Sequence, residues 1–272
     1  MARTKNTSRN SRAMASEARR SPSPSPKRLK GPQGQPPRML YRVSVEGNIG
    51  AGKSSLVARL DQTPLATAPL KRTVQEPVKD WEQSGMLARM YSGELDPFHF
   101  QVYALATRTK SLIEAIDSLG QEALEREAGG EEPKEALLLV ERDMQGDCSL
   151  FARHYLTAQQ LTDYQKIHAV HCELVESALA RWGFGSKDHI IAVRVPPEIA
   201  AMRVTKRDRE AEKNLSLKTL IELDALHEEY YGATTNTVWF LDANQQPDAV
   251  HEAAVEVLNS LVRGRSQSQP QD

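Results

Sequence analysis

Apolar positions along this chain follow two rhythms that alternate. Short apolar or β-branched runs at residues 41–45, 72–75, 136–140, 189–195 and 237–241 predict β-strands. Between them, apolar residues recur every three to four positions over 54–60, 98–119, 158–181, 197–209, 216–231 and 247–262, the period of helices with one buried face. Strand followed by helix, repeated in this way, predicts an α/β fold with a parallel sheet covered on both faces. Residues 120–135, acidic and Gly-containing, read as a surface loop.

The two ends lack either rhythm. Residues 1–38 contain Ser21-Pro22-Ser23-Pro24-Ser25-Pro26 followed by Lys27-Arg28-Leu29-Lys30, and residues 264–272 are rich in Ser, Gln and Pro. Such segments bury too little apolar surface to offset their ordering entropy, so a disordered basic arm (1–38), one folded domain (39–263) and a disordered tail (264–272) are expected. Lys27, Arg28 and Lys30 form the pattern of a nuclear localisation signal; without it the cytoplasm is the expected location.

Length and charge narrow the picture. At 272 residues the chain suits one sizeable core. Its formal net charge of −1 hides an asymmetry: ten of its 35 basic residues but only one of its 36 acidic residues lie in the first 38. The expected domain is therefore acidic, which argues against direct nucleic-acid binding by it. No apolar run approaches a membrane span, so a soluble intracellular protein is expected. Cys148 and Cys172 form no CxxC pair, which implies neither a disulfide framework nor a cysteine zinc site, and both are expected as buried thiols. His154, His168 and His171 lack a completing carboxylate or cysteine and read as exposed helix histidines.

The strongest chemical signal is Gly47-Asn48-Ile49-Gly50-Ala51-Gly52-Lys53-Ser54, which lies between a predicted strand and a predicted helix. Glycines at this spacing let backbone N–H groups turn inward on phosphates, and the following helix adds a favourable dipole. Lys53 would supply charge to a transferring phosphoryl group and Ser54 a magnesium ligand, which points to an ATP- and Mg2+-dependent phosphotransferase. Asp143-Met144-Gln145-Gly146 mimics the DxxG of GTPases, but no Asn-Lys-x-Asp motif follows, so that class is set aside.

Further motifs appear in order: Gln75-Glu76-Pro77-Val78-x-x-Trp81, Met86-Leu87-x-x-Met90-Tyr91, Phe100-Gln101-x-Tyr103-x-x-x-x-Arg108, Leu139-Val140-Glu141-Arg142-Asp143 and Arg203-Val204-Thr205-Lys206-Arg207-Asp208-Arg209-Glu210-Ala211-Glu212. Together with the glycine loop through Ser55, they resemble the deoxynucleoside kinase family, and within it the deoxycytidine and deoxyguanosine kinase branch. The resemblance implies a P-loop nucleotide kinase fold with a five-stranded parallel sheet, an arginine-rich lid, and a homodimer packed through helices.

It also implies roles. Glu76 would be the base at the 5′-hydroxyl, Arg142 its partner and Glu141 a carboxylate of the magnesium site with Ser54. Trp81 and Phe100 would sandwich a nucleobase, Gln101 would read its edge, and Leu87, Met90 and Phe151 would line the nucleoside pocket. Arg108 and Asp147 would face the base and favour cytosine or purines over thymine. Glu212 and the Tyr91 hydroxyl would bind the 3′-hydroxyl. Arg203, Arg207 and Arg209 would meet the phosphates, while Asp242, in Leu241-Asp242-Ala243-Asn244, would lie over adenine. The chain departs from the family pattern at Asp143, where a Ser is usual, and at Cys148-Ser149, where Arg-Tyr is usual. A nucleoside monophosphate kinase, which would need cations at the acceptor, and a decayed P-loop binding protein with a nuclear arm are the rival readings.

Overall fold

A computed structural model describes residues 38–65, 70–131 and 135–263. The expected arm, with Lys27, Arg28 and Lys30, and the expected tail lie outside the described residues, except that Arg38 already opens the first strand. The elements run β1 (Arg38–Glu46), α1 (Lys53–Gln62), β2 (Leu70–Val74), α2 (Val78–Gln83), α3 (Met86–Tyr91), α4 (Pro97–Ala128) and β3 (Glu135–Glu141). Then come α5 (Met144–Gly146), a π-helical stretch (Asp147–Ala152), α6 (Arg153–Tyr155), α7 (Ala158–Arg181), β4 (Phe184–Arg194), α8 (Pro197–Arg207), a 3-10 turn (Glu210–Glu212), α9 (Leu217–Ala233), β5 (Thr237–Asp242) and α10 (Pro247–Arg263).

The strands pair in the order β2-β3-β1-β4-β5, every pairing parallel. Parallel strands need helical crossovers, and these cover both faces of the sheet. Tyr41, Val43, Val45, Leu137, Leu139 and Ile191 point to one face, where Leu56, Val57 and Leu60 of α1 and Val250, Ala254 and Leu258 of α10 close the core. Their neighbours Leu40, Leu138 and Val140 point to the other, against Leu105, Leu112 and Ile116 of α4 and Tyr164, Val175 and Leu179 of α7. The strand ends β1, β2 and β3 open on the same edge, which is where ligands meet sheets of this kind.

One expectation fails over most of its length, although residues 129–131 do form a turn. Residues 120–128 are not loop: α4 runs through them to Ala128, and residue 135 begins β3. Gly120 is buried in mid-helix because a Cβ there would stand 2.1 Å from Cδ2 of Trp182, whose Nε1 donates to Asp117 Oδ1 at 2.6 Å. The glycine thus seats an indole rather than breaking the helix. The ends of α4 and α7 are fixed by side chains: Asp96 accepts from Phe98 N at 2.8 Å, and Thr157 and Gln160 form a capping box.

The histidines also differ from expectation. His168 is buried with Nε2 3.0 Å from Met144 O, His171 Nδ1 lies 2.9 Å from Thr109 Oγ1, and His154 is half-buried. They are helix-packing groups, and no cluster of three or more metal-ligating side chains occurs among the described residues. Cys148 is buried but Cys172 only partly so. Among the described residues, no helix is long and apolar enough to cross a membrane.

Candidate active site

The chain leaves β1 at Glu46 and turns back on itself over the N-terminus of α1. Gly47 has φ 148° and Gly50 φ 81°, conformations that strain a residue with a side chain. Space forbids one as well, since a Cβ would lie 2.4 Å from Val193 O at Gly47 and 2.5 Å from Ala200 O at Gly50. Asn48 is turned away from the cavity, its Nδ2 donating to Leu220 O at 2.7 Å, so its side chain anchors the loop on α9. Ala51 packs in the core beside it. Lys53 folds over the loop and donates from Nζ to Gly47 O at 2.9 Å and Asn48 O at 3.0 Å. Burial and the nearby Arg142 lower its pKa to about 8, against the pull of Glu76, Glu141 and Glu46.

Facing this loop, the ends of β2 and β3 bring two carboxylates together. Ser54 Oγ donates to Glu141 Oε1 at 2.5 Å, and Glu141 Oε2 accepts from Glu76 N at 3.3 Å. Burial, with Glu76 adding to it, raises the pKa of Glu141. Glu76 Oε1 accepts from Arg108 Nη2 at 2.5 Å and from Arg142 Nε at 3.0 Å. Burial would raise the pKa of Glu76, but Arg108, Arg142 and Lys53 overrule it and hold it down to about 2. Arg142 occupies a left-handed conformation at φ 61°, donates from Nη2 to Gly47 O at 3.0 Å and lies 4.1 Å over the Phe151 ring. One guanidinium therefore ties the glycine loop to the Glu76 carboxylate.

The pair expected to face the base, Arg108 and Asp147, is present but shares its arginine with Glu76. Arg108 Nη2 is 3.4 Å from Asp147 Oδ1, farther than from Glu76, and Asp147 Oδ2 accepts from Tyr164 OH at 2.7 Å. The expected Trp81–Phe100 sandwich does not form. The two rings meet edge to face, centroids 5.5 Å apart at 81°, and so touch each other with no gap for a base between them. Trp81 is fixed by its Nε1 bond to Thr107 Oγ1 at 2.9 Å and carries Arg108 at 5.0 Å over its ring. Gln101 is almost fully buried in the cavity wall.

At the lid, Arg207 and Arg209 both bind Glu212, Arg209 Nη1 at 2.9 Å, and Arg209 Nε reaches Glu82 at 2.8 Å. The arginines expected at phosphate and the carboxylate expected at the sugar thus hold each other. Arg203 lies apart from them, donating to Ala51 O at 3.3 Å and Ala243 O at 2.8 Å.

One cavity gathers most of these groups. Ile49, Gly50, Lys53 and Ser54 line it, as do Glu76, Glu141 and Arg142, the lid residues Arg207, Arg209 and Glu212, and every residue assigned to the nucleoside from Trp81 to Phe151. Gly47, Asn48, Ala51, Gly52, Ser55, Arg203 and Asp242 do not line it. Asp242 is exposed at the end of β5, its Oδ1 accepting from Asn244 N at 2.9 Å. Cys148 and Ser149 do not line it either. Sequence reasoning passed over three lining residues, Val78, Ala104 and Tyr155, and one residue behind the wall, Glu46. Val78 and Ala104 could have been found from their positions beside Glu76 and Phe100, one turn or less away.

Comparison with known proteins agrees with this architecture. The sequence model of the family described as deoxynucleoside kinase matches residues 43–263. A mitochondrial deoxyguanosine kinase of Xenopus laevis is 28% identical over 250 residues, covering 83% of this chain and 86% of that one. A deoxycytidine kinase of Mus musculus is 27% identical over 256 residues, covering 82% and 91%. The solved structure of deoxyadenosine kinase from M. mycoides with bound dCTP shares the fold at a TM-score of 0.56 and 19% identity, covering 80% of this chain and 99% of that chain. The chain belongs to the deoxynucleoside kinase family and is a phosphotransferase.

Proposed function

We propose that the protein transfers the γ-phosphoryl group of ATP to the 5′-hydroxyl of a deoxynucleoside, with deoxycytidine or purine deoxynucleosides favoured over thymidine. The observation that carries this reading is the meeting of Lys53 and Glu76 across one cavity, joined by Arg142. The chemistry of the donor set fits a nucleoside triphosphate and Mg2+. A loop stripped of Cβ atoms at Gly47 and Gly50 leaves its N–H groups open to phosphate, and two oxygen donors, Ser54 Oγ and Glu141 Oε1, stand 2.5 Å apart as hard ligands for Mg2+. When bound, magnesium neutralises charge on the phosphates.

The chain's own residues do the rest. Lys53 leaves its loop carbonyls for the phosphoryl oxygens, and Arg207 and Arg209 are released to the same charge when Glu212 turns to the 3′-hydroxyl with Tyr91. Glu76 is ionised throughout the neutral range, so it accepts the 5′-hydroxyl proton as a hydrogen bond and aims the oxygen; full proton transfer comes late, when the bond to phosphorus has acidified it. Arg142 keeps Glu76 in place from behind. Phosphoryl transfer through a loose transition state asks mainly for such positioning and charge. A monophosphate acceptor is disfavoured because Arg108 and Arg142, the cations that do stand beside Glu76, are already engaged by carboxylates.

Base choice is assigned to Arg108 and Asp147. Asp147 accepts from an exocyclic amino group, which thymine lacks, and the charged pair crowds its methyl group. Breaking a buried pair from one side costs about 3–5 kcal/mol. Arg108→Ala is therefore expected to harm deoxycytidine turnover more than neutralising both residues harms thymidine turnover. Transfer of labelled phosphate from ATP to each of the four deoxynucleosides and their monophosphates is the test. Thymidine turned over as well as deoxycytidine by the unaltered enzyme would end the base assignment, and labelling of monophosphates alone would end the larger reading.

Two peripheral parts of the reading have their own measurements. A homodimer packed through helices agrees with the exposure of Val170 and Leu174 on α7, and a monomer in sedimentation would refute it. Nuclear entry through Lys27, Arg28 and Lys30 is refuted if the triple-alanine variant localises as the unaltered protein does.

A further inference from the structure

We propose that Glu46 is a positioning residue for phosphoryl transfer, holding the Glu141-Arg142-Asp143 turn so that the Arg142 guanidinium spans the glycine loop and Glu76. The inference rests on the reaction proposed above and adds to it a residue that never touches substrate.

Glu46 is the last residue of β1, immediately before Gly47, and is 0% exposed. Its carboxylate lies outside the cavity. Oε1 accepts from Asp143 N at 2.8 Å, and Oε2 stands 3.5 Å from Arg142 Nη1; that is an ion-pair distance, and neither of those two atoms makes a hydrogen bond among the described residues. The same carboxyl group therefore holds the backbone on one side of Arg142 by a hydrogen bond and lies against the side chain of Arg142 itself. Arg142 N donates to Val45 O at 3.2 Å, so β1 holds the turn at two successive residues, through the carbonyl of Val45 and the side chain of Glu46. An arginine at φ 61° needs such support, because side chains seldom adopt that conformation unaided.

Gly146 is an independent witness. Its φ of −59° is ordinary helix, so no backbone demand explains a glycine there. A Cβ would instead lie 2.8 Å from Glu46 Oε1 and 3.0 Å from its Cδ and Oε2. The glycine makes room for this carboxylate. Gly146 also adjoins Asp147, which lines the cavity, so Glu46 touches both the turn that carries Arg142 and the segment that carries Asp147. Full burial of a carboxyl group is unfavourable, and apolar groups of similar volume commonly serve stability as well or better, so packing alone does not account for a glutamate here.

The sequence motif that resembled a GTPase DxxG has its explanation in the same contacts. Asp143 Oδ1 accepts from Gly146 N at 2.5 Å while Asp143 N donates to Glu46. Asp143 and Gly146 are the two ends of a cap closed around Glu46.

Glu46→Gln is the decisive variant. Burial and the nearby Asp143 push the Glu46 pKa up to about 8, so the variant is compared with the unaltered enzyme at pH 9, where Glu46 is ionised. The amide oxygen of the variant can still accept from Asp143 N, but its NH2 group turns a donor toward Arg142 Nη1. The expected result is a fall in kcat of about 100-fold, the scale of an ångström of misplacement, with KM for ATP and for deoxycytidine roughly unchanged and a melting temperature close to that of the unaltered enzyme. Unchanged kcat overturns the proposal, and so does a lowered melting temperature with unchanged kcat, which is the mark of a structural role only. Gly146→Ala should reproduce the kcat loss by pressing on the carboxylate. Combined with Glu46→Ala, it should melt no lower than Glu46→Ala alone; additive losses of stability would overturn the contact on which the proposal stands. The unaltered enzyme and Glu76→Gln are assayed in the same series. An unaltered enzyme that labels no deoxynucleoside refutes the reaction itself and this role with it, whereas an active one alongside a fully active Glu46→Gln refutes the positioning role alone.

Discussion

Glu76→Gln is expected to lower kcat by about 10²–10⁴-fold, the usual contribution of a positioned acid or base, with KM for ATP roughly unchanged. The carboxylate serves two arginines through Oε1, Arg108 at 2.5 Å and Arg142 at 3.0 Å, and in the proposed reaction its second oxygen would take the acceptor hydroxyl. A glutamine has one acceptor oxygen. If the arginines keep it, the NH2 group faces the hydroxyl and offers a donor where an acceptor is needed, so the nucleophile is aimed wrongly. If the hydroxyl takes it, Arg142 loses the partner that fixes it across from Gly47. Steady-state transfer to deoxycytidine distinguishes these costs from none, and a kcat equal to that of the unaltered enzyme would remove Glu76 from the chemistry.

The same variant carries a signature in acid. With a folded pKa of about 2 against an ordinary 4.5, Glu76 stabilises the fold above about pH 4.5, and that contribution is lost as pH falls through 2. Glu76→Gln lacks the contribution from the start. Its melting temperature should therefore be lower at neutral pH and should decline less steeply than that of the unaltered protein between pH 4.5 and 2. Parallel declines would mean that the arginines do not hold the carboxylate ionised.

The sequence was most legible where chemistry and local pattern coincide. Val43, Val45, Leu137 and Leu139 announce buried strands by composition, and the Gly47 loop announces itself by glycine spacing, because both signals lie within a few residues of each other. What failed depended on partners far along the chain. Gly120 reads as a helix breaker until Trp182 is seen to lie against it, and His168 reads as exposed until α5 brings Met144 O to its ring. The family resemblance likewise placed Trp81 and Phe100 in the same pocket without fixing the angle between their rings, and the indole is held by its bond to Thr107.

The site shows the same division. Every motif except the Asp242 loop contributed some of its residues to the cavity, yet their pairings were only half visible. Arg142 does meet Glu76, but Arg108 spends its shorter contact on Glu76 and only its longer one on Asp147, a choice that three separate motifs settle together in space. Glu46 escaped notice because a glutamate after Val45 reads as the polar end of a strand. Its burial follows from the Arg142 turn and Gly146 closing over it, and nothing adjacent in sequence signals either.

Lys53→Met is expected to separate stability from activity. Removing one preorganised charge from the phosphate cradle should lower kcat/KM by about 10²–10³-fold. The loop should survive the loss, because both carbonyls that Lys53 holds have other donors: Arg142 Nη2 reaches Gly47 O at 3.0 Å, and Ala51 N reaches Asn48 O at 3.2 Å. Methionine fills similar volume without a buried charge to desolvate, so the melting temperature should hold or rise at pH 7. The pH dependence follows from the lowered pKa of Lys53, about 8 when folded against 10.5 when unfolded. Between those values the unfolded chain binds the proton and the folded one does not, so the stability of the unaltered protein rises with pH relative to the variant. Any advantage of Lys53→Met in melting temperature should therefore shrink from pH 8 to pH 10.5, while the activity of the unaltered enzyme declines above pH 8 as the lysine loses its charge. A variant that melts far below the unaltered enzyme at pH 7 would show that the ammonium group builds the loop, and one with full activity would show that it does not serve the phosphates.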